Sequence, residues 1–229
     1  GETEKADDVI EAGRQDDCFH MLLRWLSGMS EAHFFSKMDS EPAQTTLDMA
    51  FDLLSMGQAA QTEKLLTSFG AHCGHTVMTA LTLAYALHLQ GKPEDDALAA
   101  AKTAPVGDTF PVRLGEIAVL QHAFASGVKR AAFLLGCEYY DKRQYELAGK
   151  LFEQSTHDEP DNYMTYRSLA IACFSHLNRK AEAAGDFETA LSVFRQALTL
   201  PATLGAGIWN RCKYVPYQYQ IAVCLEKLG

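Results

Sequence analysis

Apolar residues in this chain recur three and four positions apart in blocks the length of a short helix. That is the spacing of helices that each bury one face. Two blocks share more than this. "LDMAFDLLSM" runs up to Gly57 and "LTLAYALHLQ" up to Gly91, 34 residues further on. In both, a small residue (Ala50, Ala84) stands seven places before the glycine and a leucine (Leu53, Leu87) four places before it. Helical periodicity alone does not place two segments in the same phase, so the pattern predicts a repeat of paired helices.

The stretch from Lys129 to Pro160 carries the layout more fully. It sets Ala132, Leu135, Gly136 and Tyr139 on a first helix, a polar turn "DKRQ", then Ala148, Phe152 and Pro160. A glycine on the first helix allows the second to cross close by, at the 8–10 Å typical of packed helices. Tyr139 and Phe152 are expected to fill the space around that contact, and Pro160 to stop the second helix. This spacing resembles the tetratricopeptide repeat, W-x2-L-G-x2-Y, A-x3-F, P within 34 residues, with Ala132 in place of the first aromatic.

A second unit ends "AGDFETALSVFRQALTLP", with Gly185 as turn, Ala190 as close contact, Phe194 and Ala197 on the core face and Pro201 as stop. "YQIAVCLEKLG" is a half unit whose apolar face needs a cap, another chain or further sequence. The expected fold is therefore all-α, a tetratricopeptide-like superhelical solenoid of antiparallel helix pairs with irregular joints. Residues 1–42 form N-terminal helices of an atypical or capping repeat. Repeats follow at about 43–76, 77–110, 111–128 (partial), 129–162, 163–204 (with an insertion) and a half repeat at 215–229.

The segments "FPVRLGEIAVLQHAF", "LLGCEYYDKRQYELAGKLFEQS" and "YRSLAIACF" also resemble the helical part of a family of bacterial multidomain proteins. In that family an aldose-epimerase-like β-sandwich domain of unknown function precedes tetratricopeptide repeats. "DDCFHMLLRWLSG", "SEPAQTTLDMAFDLLSMG" and "ALTLPATLGAG" are similar to its early and late segments. The chain departs from the family where "AIACFSHLN" and "AEAAGDFETAL" stand nearly adjacent, a place where the family has further helical pairs. The resemblance implies a link to carbohydrate metabolism through a β-sandwich that this chain does not carry.

Charge narrows the partners. A formal net charge of −9 and the absence of any basic run argue against nucleic acid or an anionic membrane surface. No apolar run approaches the roughly 20 residues of a membrane span, and "GETEKADD" shows no leader. Six cysteines without a CxxC pair suit free thiols in a reducing compartment, so a cytoplasmic location is expected.

Candidate chemistry is thin. His72, Cys73 and His75 in "AHCGHT" lack a second ligand pair, and incidental side chains of an interhelical loop account for them. Cys137 with His122 or His157 would make a thiol–imidazole pair, yet Cys137 follows the close-packing glycine of a repeat helix and reads as a packing residue. No nucleophile elbow, phosphate loop or HExxH motif occurs. No enzyme activity, metal or cofactor is expected.

Binding has more to offer. In tetratricopeptide repeats, positions 2, 5, 9, 12 and 13 of the first helix face the concave groove. By resemblance these are Arg130, Phe133, Cys137, Tyr140 and Asp141 of one unit, and Met78, Leu81, Tyr85, His88 and Leu89 of another. The helix counted from Tyr163 adds Met164, Arg167, Ile171, Phe174 and Ser175. An apolar and aromatic lining with two arginines suits an amphipathic helix or extended peptide. The Lys/Asn/Arg clamp with which some repeats grip a C-terminal carboxylate is missing, since Phe133 and Cys137 occupy its places.

Two irregular segments, "DTFPVR" and "GAGIWNRCKY", concentrate the interface-type residues Phe110, Arg113, Trp209, Arg211 and Tyr214. The expected function is a protein-binding scaffold whose partner is another protein, a peptide or another domain of the same polypeptide. The alternative is an accessory portion of a carbohydrate-active protein, with Trp209 or Phe110 stacking on sugar. Homodimerisation through the terminal helix is a third expectation.

Overall fold

A computed structural model of the chain describes residues 20–38, 41–105 and 110–160, with isolated positions beyond these spans. The chain is all-α, built of tetratricopeptide-like antiparallel helix pairs, with no strand among the described residues. It divides into two compact units, Gly1–Thr109 and Phe110–Gly229. The predicted unit around Gly185, the joint at 201–214 and the half repeat at 215–229 lie outside the described residues apart from isolated helical positions.

In the first unit, α1 (Met21–Leu26) and α2 (Glu31–Phe35) are followed by α3 (Pro42–Ser55), α4 (Ala59–Cys73), α5 (Val77–Leu89) and α6 (Asp95–Thr103). Pro42 opens α3 at a position where its missing N–H is no loss. The apolar stripe of α3 then buries Leu47, Met49, Ala50 and Leu53. α5 lies against α3, α4 and α6, which explains why it is apolar nearly all round. Even Thr79 and Thr82 are buried there, and the Thr82 hydroxyl donates to the Met78 carbonyl at 2.7 Å. Thr76 and Thr79 cap the start of α5 reciprocally: the Thr76 amide donates to the Thr79 hydroxyl at 2.9 Å.

α1 and α2 have six and five residues, too short to persist alone. An aromatic cluster holds them. Trp25 and Phe34 stand 5.2 Å apart, Phe35 meets Phe69 of α4 at 6.0 Å, and Phe35 stacks on His72 at 5.2 Å.

The second unit contains α7 (Leu114–Ala125), α8 (Lys129–Asp141) and α9 (Tyr145–Asp158). A close contact between α8 and α9 lies at Gly136, where the sequence placed it. A Cβ on Gly136 would stand 2.6 Å from Cε1 of Phe152, whose ring is 1% exposed, and Ala148 beside it is fully buried. The ring that joins Phe152 is Phe133, at 6.0 Å. Tyr139 instead is half-buried and its hydroxyl accepts a hydrogen bond from Gln121 of α7 at 2.8 Å, which corrects the expectation that it fills this contact.

Four helices end in the same way. After α3, α5, α7 and α8 the chain turns through a left-handed residue, Gly57, Gly91, Gly127 and Arg143. The next amide reaches five residues back: Gln58 to Leu53, Lys92 to Leu87, Val128 to Ala123 and Gln144 to Tyr139, at 2.8–3.0 Å. Glycine adopts this conformation freely, whereas an L side chain costs about 1–2 kcal/mol there. Arg143, at φ 60°, carries that cost. Arg143→Gly is therefore expected to raise the melting temperature by about 2–4 °C, the equivalent of about 1 kcal/mol, in a thermal melt of the full chain.

Candidate functional site

On α5 almost every side chain is buried, and the exceptions cluster toward its end. Tyr85 is half-buried and stacks on the exposed His88 with ring centroids 6.4 Å apart at 23°, and Leu89 is 52% exposed. α3 packs alongside α5. One repeat earlier, at the same register, it carries Phe51 and Leu54, both half-buried, and the exposed Ser55. Phe51 and Leu54 thus hold on α3 the register places that Tyr85 and His88 hold on α5. Met78 and Leu81, which the repeat register directed into the groove, are fully buried core residues, at 0% and 1% exposure.

In the second unit, Cys137 and Tyr140 of α8 are half-buried and Asp141 is exposed. The Tyr140 ring lies 5.1 Å from that of Tyr145. Arg130 is half-buried, with Nε 3.4 Å from a carboxylate oxygen of Glu159. Phe133 departs from the expected lining: it is 6% exposed and packed against Phe152 inside the hairpin. Arg167 and Phe174 lie outside the described residues, as do Trp209, Arg211 and Tyr214. Of the two expected loop anchors that are described, Phe110 is 40% exposed and Arg113 is half-buried at the start of α7.

The "AHCGHT" side chains do not converge. His72 Nδ1 lies 2.9 Å from the Ser68 carbonyl and its ring is stacked on Phe35. Cys73 is exposed, with partial burial pushing its thiol above the usual range. His75 folds back over Gly70, where any Cβ would collide with its ring, and its Nδ1 meets the Thr79 hydroxyl at 3.3 Å. These contacts are those of a helix joint.

No family model matches the chain, and no curated protein matches it. Solved structures do. "MamA MSR-1 C2" is 19% identical, covering 83% of this chain and 88% of that one, with a TM-score of 0.40. "Crystal structure of MamA" is 19% identical over 73% of this chain and 84% of that one, at a TM-score of 0.35. "MamA 41-end from Desulfovibrio magneticus RS-1" is 14% identical over 83% and 96%, at 0.37. At these values the likeness is one of general helical build.

Electrostatics single out two further places. Burial lowers the His75 pKa below the ordinary imidazole value of about 6.5. Because the folded value is depressed, the fold favours neutral His75. Stability is at its full level above the ordinary value and falls as pH drops from there toward the folded one. His75→Gln is expected to flatten the fall in the first unit's denaturant midpoint between pH 7.5 and 5, relative to the parent chain.

The second place was missed by sequence reasoning. Glu138 and Glu116 are 0% and 1% exposed, and burial pushes the Glu138 carboxyl up despite the nearby Lys142. "GCEYYD" gives no sign of this, since a glutamate amid tyrosines on a helix ordinarily faces water. No described helix is long and apolar enough to cross a membrane.

Proposed function

We propose that this chain is a non-catalytic, tetratricopeptide-type binding module. On this reading a face of the Gly1–Thr109 unit takes up an amphipathic helix or extended peptide belonging to another protein or to another part of its own polypeptide. The observation that carries the reading is the ledge of Phe51, Leu54, Tyr85, His88 and Leu89. On a largely buried helix, Tyr85 is half-buried and His88 and Leu89 are exposed, and half-buried Phe51 and Leu54 hold the places of Tyr85 and His88 34 positions earlier. Rigid aromatic side chains with an adjoining aliphatic are the usual anchors of a peptide groove. The net charge of −9 favours a segment that is apolar on one side and basic on the other.

Tyr85→Ala combined with Leu89→Ala is expected to weaken capture of partner by the immobilised chain about tenfold or more, the range of an interface anchor. The melting temperature should stay within about 2–4 °C of the parent, since neither side chain is core. Phe124→Ala, an exposed position on α7, serves as control and should leave capture unchanged. Equal capture by all three chains would remove the ledge as a binding surface.

A further inference from the structure

The residues leading into α7 are held by an unusual set of charges. Oε2 of Glu116 accepts the amides of both Val112 and Arg113 at 2.6 Å. The Val112 carbonyl accepts from Lys142 Nζ at 2.9 Å, from the turn that follows α8. The same ammonium donates to Asp141 Oδ2 at 2.7 Å and lies 3.3 Å from Glu138 Oε1. Glu138 is fully buried, and among the described residues its carboxylate has one charged neighbour within reach, the Lys142 ammonium at 3.3 Å, and no well-aligned hydrogen bond. Facing Glu138 are Glu116 from α7 and Asp141 and Lys142 from its own end of α8, and of these only Lys142 is positive.

A fully buried carboxylate short of hydrogen bonds is costly, and removing the cation beside it is costlier still. Here that counter-ion has a second task, since it also holds the Val112 carbonyl. We propose that Lys142 is the pin of an electrostatic latch that straps residues 110–113 to the end of α8, with the buried Glu138 as the charge that seats the pin. The strap carries the outward side chains Phe110 and Val112, at 40% and 57% exposure, and Leu114 follows at the start of α7 with 70%. The latch fixes how this apolar trio is displayed, and neutralising a single ammonium lets it move. The inference stands apart from the groove reading, because none of its residues belongs to the ledge.

The test uses Lys142→Met, which keeps length but loses charge and donor, alone and combined with Glu138→Met in the full chain. Hydrogen exchange of the Phe110, Val112, Arg113 and Leu114 amides reads the strap, and a thermal melt reads the unit. Lys142→Met is expected to speed exchange at the strap about tenfold, the loss of one charge-assisted hydrogen bond, and to lower the melting temperature by about 10 °C. The double variant is expected to recover the melting temperature while the strap still exchanges fast. That split separates a latch from general destabilisation, and it remains readable if Lys142→Met alone fails to fold. The latch is overturned if strap exchange in the double variant returns to the parent rate. It is equally overturned if the double variant melts as low as the single one, or if Lys142→Met changes neither reading.

Discussion

Gly136→Ala is expected to lower the melting temperature of the Phe110–Gly229 unit by about 3–12 °C. The added methyl would stand 2.6 and 2.7 Å from two ring carbons of Phe152, inside any permitted carbon–carbon distance. Phe152 is 1% exposed, with Phe133 beside it, so its ring has nowhere to turn. Relief must come from moving α8 away from α9, and overpacking of that kind costs about 1–3 kcal/mol. Phe152→Leu in the same chain should restore part of the loss, giving a coupling of about 1 kcal/mol in a double-mutant cycle. Strict additivity of the two changes would show that the ring does not set the helix separation. Gly70→Ala makes the contrast: its obstacle is the half-buried ring of His75, which can swing toward solvent, so a smaller effect is expected.

Phe133→Ala should cost about 3–5 kcal/mol, the largest single effect expected in the second unit. The side chain is 6% exposed, and its removal leaves a cavity against the Phe152 ring that Gly136 and Ala132 are too small to fill. Urea denaturation should show a lower midpoint with an unchanged slope, as for a lost core contact. Phe133→Leu should fall between the parent and the alanine variant. The opposite outcome, an unchanged midpoint with weakened partner capture, would return Phe133 to the groove that the repeat register assigned it.

That register was misleading here for a reason visible in the chain itself. The repeat normally carries a large aromatic where this chain has Ala132, which is fully buried. The neighbouring Phe133 instead turns inward and packs its ring against Phe152. Most of the fold was legible because it rests on periodicity and turn chemistry. Gly57 and Gly91 stand 34 residues apart because both hold left-handed backbone at the end of a first helix, with φ of 72° and 67°. The same turn at Arg143 was hidden, since a residue other than glycine occupies it.

The proposed ledge draws on the sequence only in part. Tyr85, His88 and Leu89 follow from phase, whereas Phe51 and Leu54 required carrying the same interval one repeat back. The buried Glu138 could not be read at all, because burial of a charge is a property of neighbouring helices and leaves no local signal.

The aromatic cluster of Trp25, Phe34, Phe35 and Phe69 has a consequence for how the first unit withstands stress. Two helices of six and five residues have little stability of their own, so their order depends on this aromatic packing, in which Phe35 meets Phe69 and His72 of α4. Loss of that packing would bare Phe69, which is otherwise 1% exposed, on the side of α4 that Phe35 covers. Local opening here thus creates a sticky surface on an otherwise folded molecule, a more hazardous species in a crowded solution than fraying of a polar tail.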